Sequence, residues 1–153
     1  MPAFTERNGW KLLKHPAFGE PYDALIAEVE KIQVAQPQNW QSHPKVKLLA
    51  RIQVLIYDEI PRDPNAAEYA QGNTLGPAHR HWKRAKFLQR FRLFFRFDSK
   101  TKIIIYAWVN DENTQRKAGA KTDPYAVFEK RLRQGYPPSD WNELLAGAES
   151  LSS

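Results

Sequence analysis

The chain has 153 residues, 42% of them hydrophobic, and a net charge of +6, which suits one domain able to bury a real core. It contains no cysteine, which excludes a disulfide framework, a thiolate metal site and a cysteine nucleophile, and fits a reducing cytoplasm. The opening MPAFTERNGWKLL lacks the pattern of a signal peptide, and the longest apolar run, IIIYAWV at 103–109, is far too short to cross a bilayer, so a soluble cytoplasmic protein with no membrane partner is expected.

In chain order, NGWKLLKHP (8–16) alternates Trp10 and Leu12 against Lys11 and predicts a short first strand. Tyr22, Leu25, Ile26, Val29 and Ile32 follow helical spacing, which predicts a helix over about 21–33. His43-Pro44 opens a second helix, with proline in the first turn and Val46, Leu49, Ile52, Ile56 and Ile60 on one stripe; Pro61 is expected to end it. Residues 62–79, loaded with Pro, Gly and Asn, read as a long surface connection. Three strands follow at roughly 80–88, 91–97 and 102–109, the last apolar on both faces and therefore central. After the NDENT turn, Asp123 caps a helix begun by Pro124 and closed by Gly135, and Ser139 caps a short helix through Trp141, Leu144 and Leu145. The terminal AGAESLSS is expected to fray. The order β-αα-βββ-α-α predicts an α+β fold, an antiparallel sheet backed by helices, as a single domain over 1–153 with its core at about 8–145.

The charge is localised. Residues 79–102 hold 9 Lys/Arg against one Asp, a net +8, while 1–78 and 103–153 are each −1. Such a segment is the footprint of a polyanion partner, nucleic acid first. In RFRLFFRF (90–97), Phe91, Leu93, Phe95 and Phe97 share one face; Arg90, Arg92, Phe94 and Arg96 share the other. A two-residue turn to the preceding strand would oppose Lys86 with Leu93 and mix charge with core. A three-residue turn, Leu88-Gln89-Arg90, pairs Phe87 with Phe91, Ala85 with Leu93, Lys86 with Arg92 and Arg84 with Phe94. This puts Arg84, Lys86 and Arg92 together on a face expected to meet solvent. Like charges facing across strands destabilise a sheet, so a carboxylate or a phosphate is expected among them.

Other chemistries lack their residues. Asp111 and Glu112 are adjacent and read as turn and capping groups; His79 and His81 share a strand face without a third metal ligand, and read as a basic rim. His15 and His43, each before proline, read as turn and helix-entry residues. There is no Ser-His-Asp order, P-loop or dinucleotide fingerprint. Metal-free phosphate chemistry is better served. In RNA the 2′-OH can attack the adjacent phosphorus, and cations fixed on a sheet would stabilise the charge that builds up. Arginines on both sides of Lys86 disfavour its ammonium form, which makes it a candidate general base.

The segments NGWKLLKHPAFGEPYDALIAEVE, KLLARIQVLI, GNTLG, HWKRAKF, FRLFFRF and WVNDENTQRKAGAKTDPYAVFEKRLRQGYPPSDW, spanning about 8 to 141, resemble the YhaV family of toxins, itself similar to RelE-like toxins. The resemblance implies a RelE-like α+β fold, with a helical pair on a twisted antiparallel sheet and one or two C-terminal helices. It implies a metal-independent endoribonuclease without cofactor, an mRNA interferase that cuts mRNA (rRNA being a second candidate) by 2′-OH attack, usually on the translating ribosome. The partners implied are an AbrB-like antitoxin of the PrlF type and, for the toxin–antitoxin complex, the operator DNA of its own operon. Carried over residue by residue, Arg92 matches the phosphate-stabilising arginine. Arg84 and Lys86 match a pair of lysines two apart, and since arginine does not readily lose a proton the base role falls on Lys86. Arg116 resembles the arginine near the leaving oxygen. Tyr125 matches a tyrosine that orients the nucleotide, or equally a core-facing aromatic on the first turn of its helix. His81, Lys83, Arg90, Arg96, Lys100 and Lys102 read as RNA-binding contacts to the backbone. The competing function is a non-catalytic module that binds nucleic acid or the antitoxin through the same basic sheet.

Overall fold

Asn8 and Gly9 both have positive φ (54° and 84°), the conformation an Asn-Gly hairpin turn requires. They fold β1 (Thr5–Arg7) back on β2 (Trp10–Lys14), so the first predicted strand is a hairpin. The computed structural model describes residues 5–71, 74–111, 114 and 120–151. In it one sheet runs β1-β2-β5-β4-β3, with β3 at Lys83–Phe87, β4 at Phe91–Asp98 and β5 at Ile103–Val109. As expected, β3, β4 and β5 form an antiparallel meander and β5 is central. The sheet is nevertheless mixed, because β2 fills the free edge of β5 in parallel, which the long intervening crossover permits.

His15 ends β2 and caps α1 (Pro16–Ala35), its Nδ1 accepting from the Ala17 N–H at 3.0 Å. The helix therefore starts at 16 rather than 21 and carries Pro21 inside it. His43 caps α2 (Pro44–Val54) in the same way, accepting from the Lys45 N–H at 3.1 Å. The chain then widens into a π turn at Leu55–Glu59 and ends in a short helix α3 (Ile60–Arg62), so it passes through Pro61 rather than stopping there. The Ile60 N–H bonds back five residues to the Leu55 carbonyl. Pro61 has no N–H to offer Ile56 in the same pattern. The Ile56 carbonyl instead accepts from the buried Tyr106 hydroxyl on β5, at 2.6 Å.

The 62–79 connection is more than surface loop. It includes the 3₁₀ turns Ala67–Tyr69 and Pro77–His79, it buries Tyr69 and Leu75, and Ala70 bridges Lys83 on the outer edge of β3. Because β3 begins at Lys83 and not at 80, His79 and His81 precede the strand instead of sharing one of its faces.

Both faces of the sheet are covered. Leu93, Phe95 and Tyr106 pack against Phe18 of α1 and Ile52 of α2. On the other side lie α4 (Pro124–Gln134) and α5 (Trp141–Ala146), where Phe128 stacks on Phe94 at 4.2 Å and on Trp108 at 5.8 Å. Asp123 caps α4 and Gly135, at φ 78°, closes it, as the sequence predicts. Asp140, not Ser139, caps α5, its carboxylate reaching the Glu143 N–H at 3.0 Å. The tail does not fray through residue 151. Strand β6 (Glu149–Ser150) pairs with β2, and Leu151, 2% exposed, donates its N–H to the Leu12 carbonyl at 3.0 Å. No helix among the described residues is long and apolar enough to cross a membrane.

Candidate active site

The β3–β4 hairpin has the register that face-matching demands: Phe87 opposes Phe91, Lys86 opposes Arg92, Ala85 opposes Leu93 and Arg84 opposes Phe94. The turn is Leu88-Gln89-Arg90. Leu88 and Gln89 adopt φ of 45° and 66°, a left-handed conformation costly for non-glycine residues.

The arginine face does not meet solvent as expected. Arg84 is 9% and Arg92 7% exposed, because α4 covers this face and its first turn delivers Tyr125. The Nε–H of Arg84 donates to Tyr125 Oη at 2.9 Å and that of Arg92 does so at 3.1 Å. Arg84 Nη1 donates to the Glu68 carbonyl at 2.7 Å; Arg92 Nη1 donates to the carbonyls of Gln89 and Phe91 at 3.0 and 2.9 Å. Neutral oxygens thus hold the inner edges of both guanidinium groups. Among the described residues the Nη2 groups of both arginines find no protein acceptor, and neither is a buried orphan, so this outer end of each guanidinium reaches the surface. Tyr125 is the core-facing aromatic the sequence allows, edge-on to Phe94 at 5.6 Å, and its hydroxyl joins the two arginines, a contact the sequence did not indicate.

Asn110 was not singled out by sequence, yet it is 3% exposed and braces this hairpin. Its Oδ1 accepts from the Arg92 N–H at 2.7 Å, and its Nδ2 donates to the carbonyls of Arg90 (3.2 Å) and Thr114 (2.8 Å). Its one legible signal is an amide directly after an apolar strand. Asp111 takes the expected turn role, its Oδ1 accepting from Thr114 Oγ1 at 3.0 Å; Glu112 lies outside the described residues.

Lys86 is exposed and, with Arg84, lines a cleft of about 340 Å³ whose other walls include Arg51, Glu59, Glu68 and Tyr69. Arg51 and Glu59, also missed by sequence, form a two-pronged ion pair on its far wall at 2.5 and 3.1 Å. The carboxylate beside Arg51 raises its pKa above the usual value. Burial, followed by the charges of Glu68 and Glu59, pushes the Tyr69 phenol up to about 12.

The remaining expected contacts do not make one patch. Arg90 is exposed at the hairpin tip. Lys83 is on the opposite face from Arg84, its ammonium over the Phe97 ring at 6.0 Å. Arg96 shares the Arg92 face but is enclosed, donating to the Ser139 carbonyl at 2.6 Å between the rings of Trp82 and Trp141 (5.7 and 5.4 Å). Beside it, His81 Nε2 lies 3.1 Å from Ser139 Oγ, and burial followed by the charges of Arg96 and His79 lowers its pKa. Lys100 and Lys102 are exposed in the β4–β5 turn, at the far end of β4, with the Lys102 ammonium over Trp10 at 4.8 Å. Arg116 lies outside the described residues. Among the described residues no cluster of three or more His, Asp or Glu side chains is placed to hold a metal ion.

An antiparallel meander with helices on both faces and paired guanidinium groups at its basic hairpin fits the RelE-like α+β class of toxin domain. No solved structure matches the chain. A family model described as "Toxin with endonuclease activity, of toxin-antitoxin system" matches residues 12–149, and the chain belongs to that family, the YhaV toxins. It is 46% identical over 149 residues to "Ribonuclease toxin YhaV" of Escherichia coli K12 and to "Toxin YhaV" of Escherichia coli O6:H1, matches that cover 95% of this chain and 97% of each relative. The protein is thus a toxin with endonuclease activity, and its system supplies an antitoxin as partner.

Proposed function

We propose that the substrate is RNA and that the chain is a metal-independent endoribonuclease, an mRNA interferase acting in the cytoplasm on the translating ribosome. The observation that carries this reading is the meeting of Arg84 and Arg92 on Tyr125 Oη, with Lys86 directly across from Arg92. The name of the Escherichia coli K12 relative, a ribonuclease toxin, supports the choice of RNA. The scissile phosphate sits against the outer guanidinium nitrogens. There, cations already held in place stabilise the charge that develops on its oxygens. Lys86, the member of the trio that can give up its proton, takes the proton of the 2′-OH. The 2′-oxygen then bonds to phosphorus as the bond to the 5′-oxygen breaks, leaving a 2′,3′-cyclic phosphate and a 5′-oxygen that takes its proton from solvent water. Arg116, by family resemblance, serves the leaving oxygen. The exposed Arg90, Lys100 and Lys102, with His81 and Lys83, contact flanking backbone, while Arg96 acts by holding Ser139 in place. An AbrB-like antitoxin neutralises the toxin, and their complex represses its own operon through operator DNA.

The test is cleavage of a defined RNA in excess chelator, beside the same RNA carrying a single 2′-deoxy nucleotide at the cut. Persistence in chelator, cyclic phosphate ends and resistance of the deoxy substrate are expected. Loss in chelator, or normal cutting of the deoxy substrate, overturns the mechanism. Binding without cutting would favour the non-catalytic module.

A further inference from the structure

We infer that the cleft beyond the edge of β3 is a nucleobase subsite, in which the Arg51–Glu59 pair reads a guanine next to the phosphate held by Arg84 and Lys86. The inference rests on the ribonuclease reading. Its volume, about 340 Å³, falls within the roughly 300–1,000 Å³ range of small-molecule sites. Arg84 and Lys86 form the wall on the hairpin side, so a nucleotide whose phosphate meets them has its base within reach of the opposite wall.

That wall is made by the π turn. In an unbroken α-helix, residues eight apart differ by about 80° around the axis. A wider turn advances fewer degrees per residue. Passing through Leu55–Glu59, it rotates Glu59 back toward the face of Arg51, and the two side chains lock in a fork at 2.5 and 3.1 Å. Each remains about one third exposed, at 34% and 33%. An ion pair this exposed contributes little to stability. As a recognition device it is well built, because both groups are held before any ligand arrives.

The pattern it offers selects the base. Each carboxylate oxygen of Glu59 takes one N–H from Arg51 and keeps a second lone pair, while the guanidinium keeps further N–H donors. Guanine alone among the four bases sets two adjacent donors, N1–H and the 2-amino group, beside an acceptor, O6. The donors meet the carboxylate and the acceptor meets Arg51. Uracil offers one ring N–H between two acceptors, and adenine and cytosine offer a single amino group.

Titration of the intact protein with the four nucleoside 3′,5′-bisphosphates tests this, since each carries a phosphate on both sides of its base. The guanosine compound should bind about tenfold more tightly than the others. Glu59→Gln should bring it level with them, and Arg51→Lys, which keeps the charge but loses the fork, should do most of the same. Lys86→Ala should weaken all four alike. Equal binding of the four by the wild type, or a guanosine preference that survives Glu59→Gln in a protein with unchanged circular dichroism, overturns the inference. If the preference appears and depends on Glu59 while no RNA is cut, the subsite stands and the ribonuclease reading fails. If RNA is cut with no preference in either assay, the ribonuclease reading stands and the subsite fails.

Discussion

Arg84 and Arg92, diagonal neighbours across two strands, aim their Nε–H groups at one atom, Tyr125 Oη, from 2.9 and 3.1 Å. Two cations this close repel unless an acceptor lies between them, and the phenol oxygen offers lone pairs to both. Tyr125→Phe removes that oxygen and keeps the ring against Phe94. A stability loss of about 1.5–3 kcal/mol is expected from hydrogen bonds to charged groups, with single-turnover cleavage reduced by about 10²-fold as the guanidinium groups lose alignment. Thermal denaturation and rapid-quench kinetics read the two effects; a wild-type rate in the folded variant would remove Tyr125 from the site.

Arg92→Lys keeps the charge but cannot serve Tyr125 Oη, Gln89 O and Phe91 O from one planar group. Its cleavage rate should fall by about 10²–10³, as should those of Arg84→Ala and Arg92→Ala. RNA binding to the same variants should change far less. Phe95→Ala, on the helical-pair face and fully buried, should instead cost about 3–5 kcal/mol of stability. Full cleavage by folded Arg92→Lys would place the chemistry elsewhere.

Asn110→Ala strips the Arg92 N–H of its acceptor and the Arg90 and Thr114 carbonyls of a donor. About 1–3 kcal/mol of stability should be lost. Since Asn110 touches no substrate in this arrangement, kcat should fall with KM nearly unchanged, and Asn110→Asp, which restores only the acceptor, should recover part of the loss. Kinetics alongside denaturant melts would expose a purely structural role as a stability change with normal kcat.

His15 is buried between the start of α1 and the C-terminal segment, against the Tyr136 ring at 5.2 Å and beside Gly147. Burial lowers its pKa below the usual 6.5, and the nearby Glu20 only partly opposes this. The unfolded chain therefore binds a proton that the folded one resists, so stability is complete above about pH 6.5 and falls as the pH drops below it. His81, its pKa lowered by burial and by the charges of Arg96 and His79, adds to the same loss at low pH. Asparagine can also accept from the Ala17 N–H, so His15→Asn should be less stable at pH 8 yet show a shallower fall between pH 7 and 5 in urea melts. An unchanged slope would assign the pH dependence to other groups.

The hairpin register was legible because period-two alternation leaves only one turn length that keeps Phe87, Ala85 and Leu93 off the charged face. The helix entries at His43 and Asp123 were legible as local capping chemistry, while the entry at His15 was missed because the helical spacing was read only from Tyr22 onward. The burial of Arg84 and Arg92 was not, because it depends on α4 crossing that face. Phe94, an aromatic among arginines, was the sign that something apolar would stack there, and Phe128 does, at 4.2 Å. The π turn was hidden for a similar reason. It rests on the Ile56 carbonyl finding Tyr106, 50 residues away. Without it, Arg51 and Glu59 are eight apart, a spacing no helical pairing rule connects.

Strands β1 and β6 lie end to end along the outer edge of β2, while β3 forms the opposite edge. Thr5 and Leu151, the first and last described residues, thus stand three strand spacings from β4 and four from β3, about 14 and 19 Å at 4.7–4.9 Å each. A fluorophore attached at Glu149, exposed on β6, would stand clear of Arg84, Lys86 and Arg92 on the hairpin. A donor dye there and an acceptor on the RNA would report substrate docking as energy transfer, without touching any residue of the site.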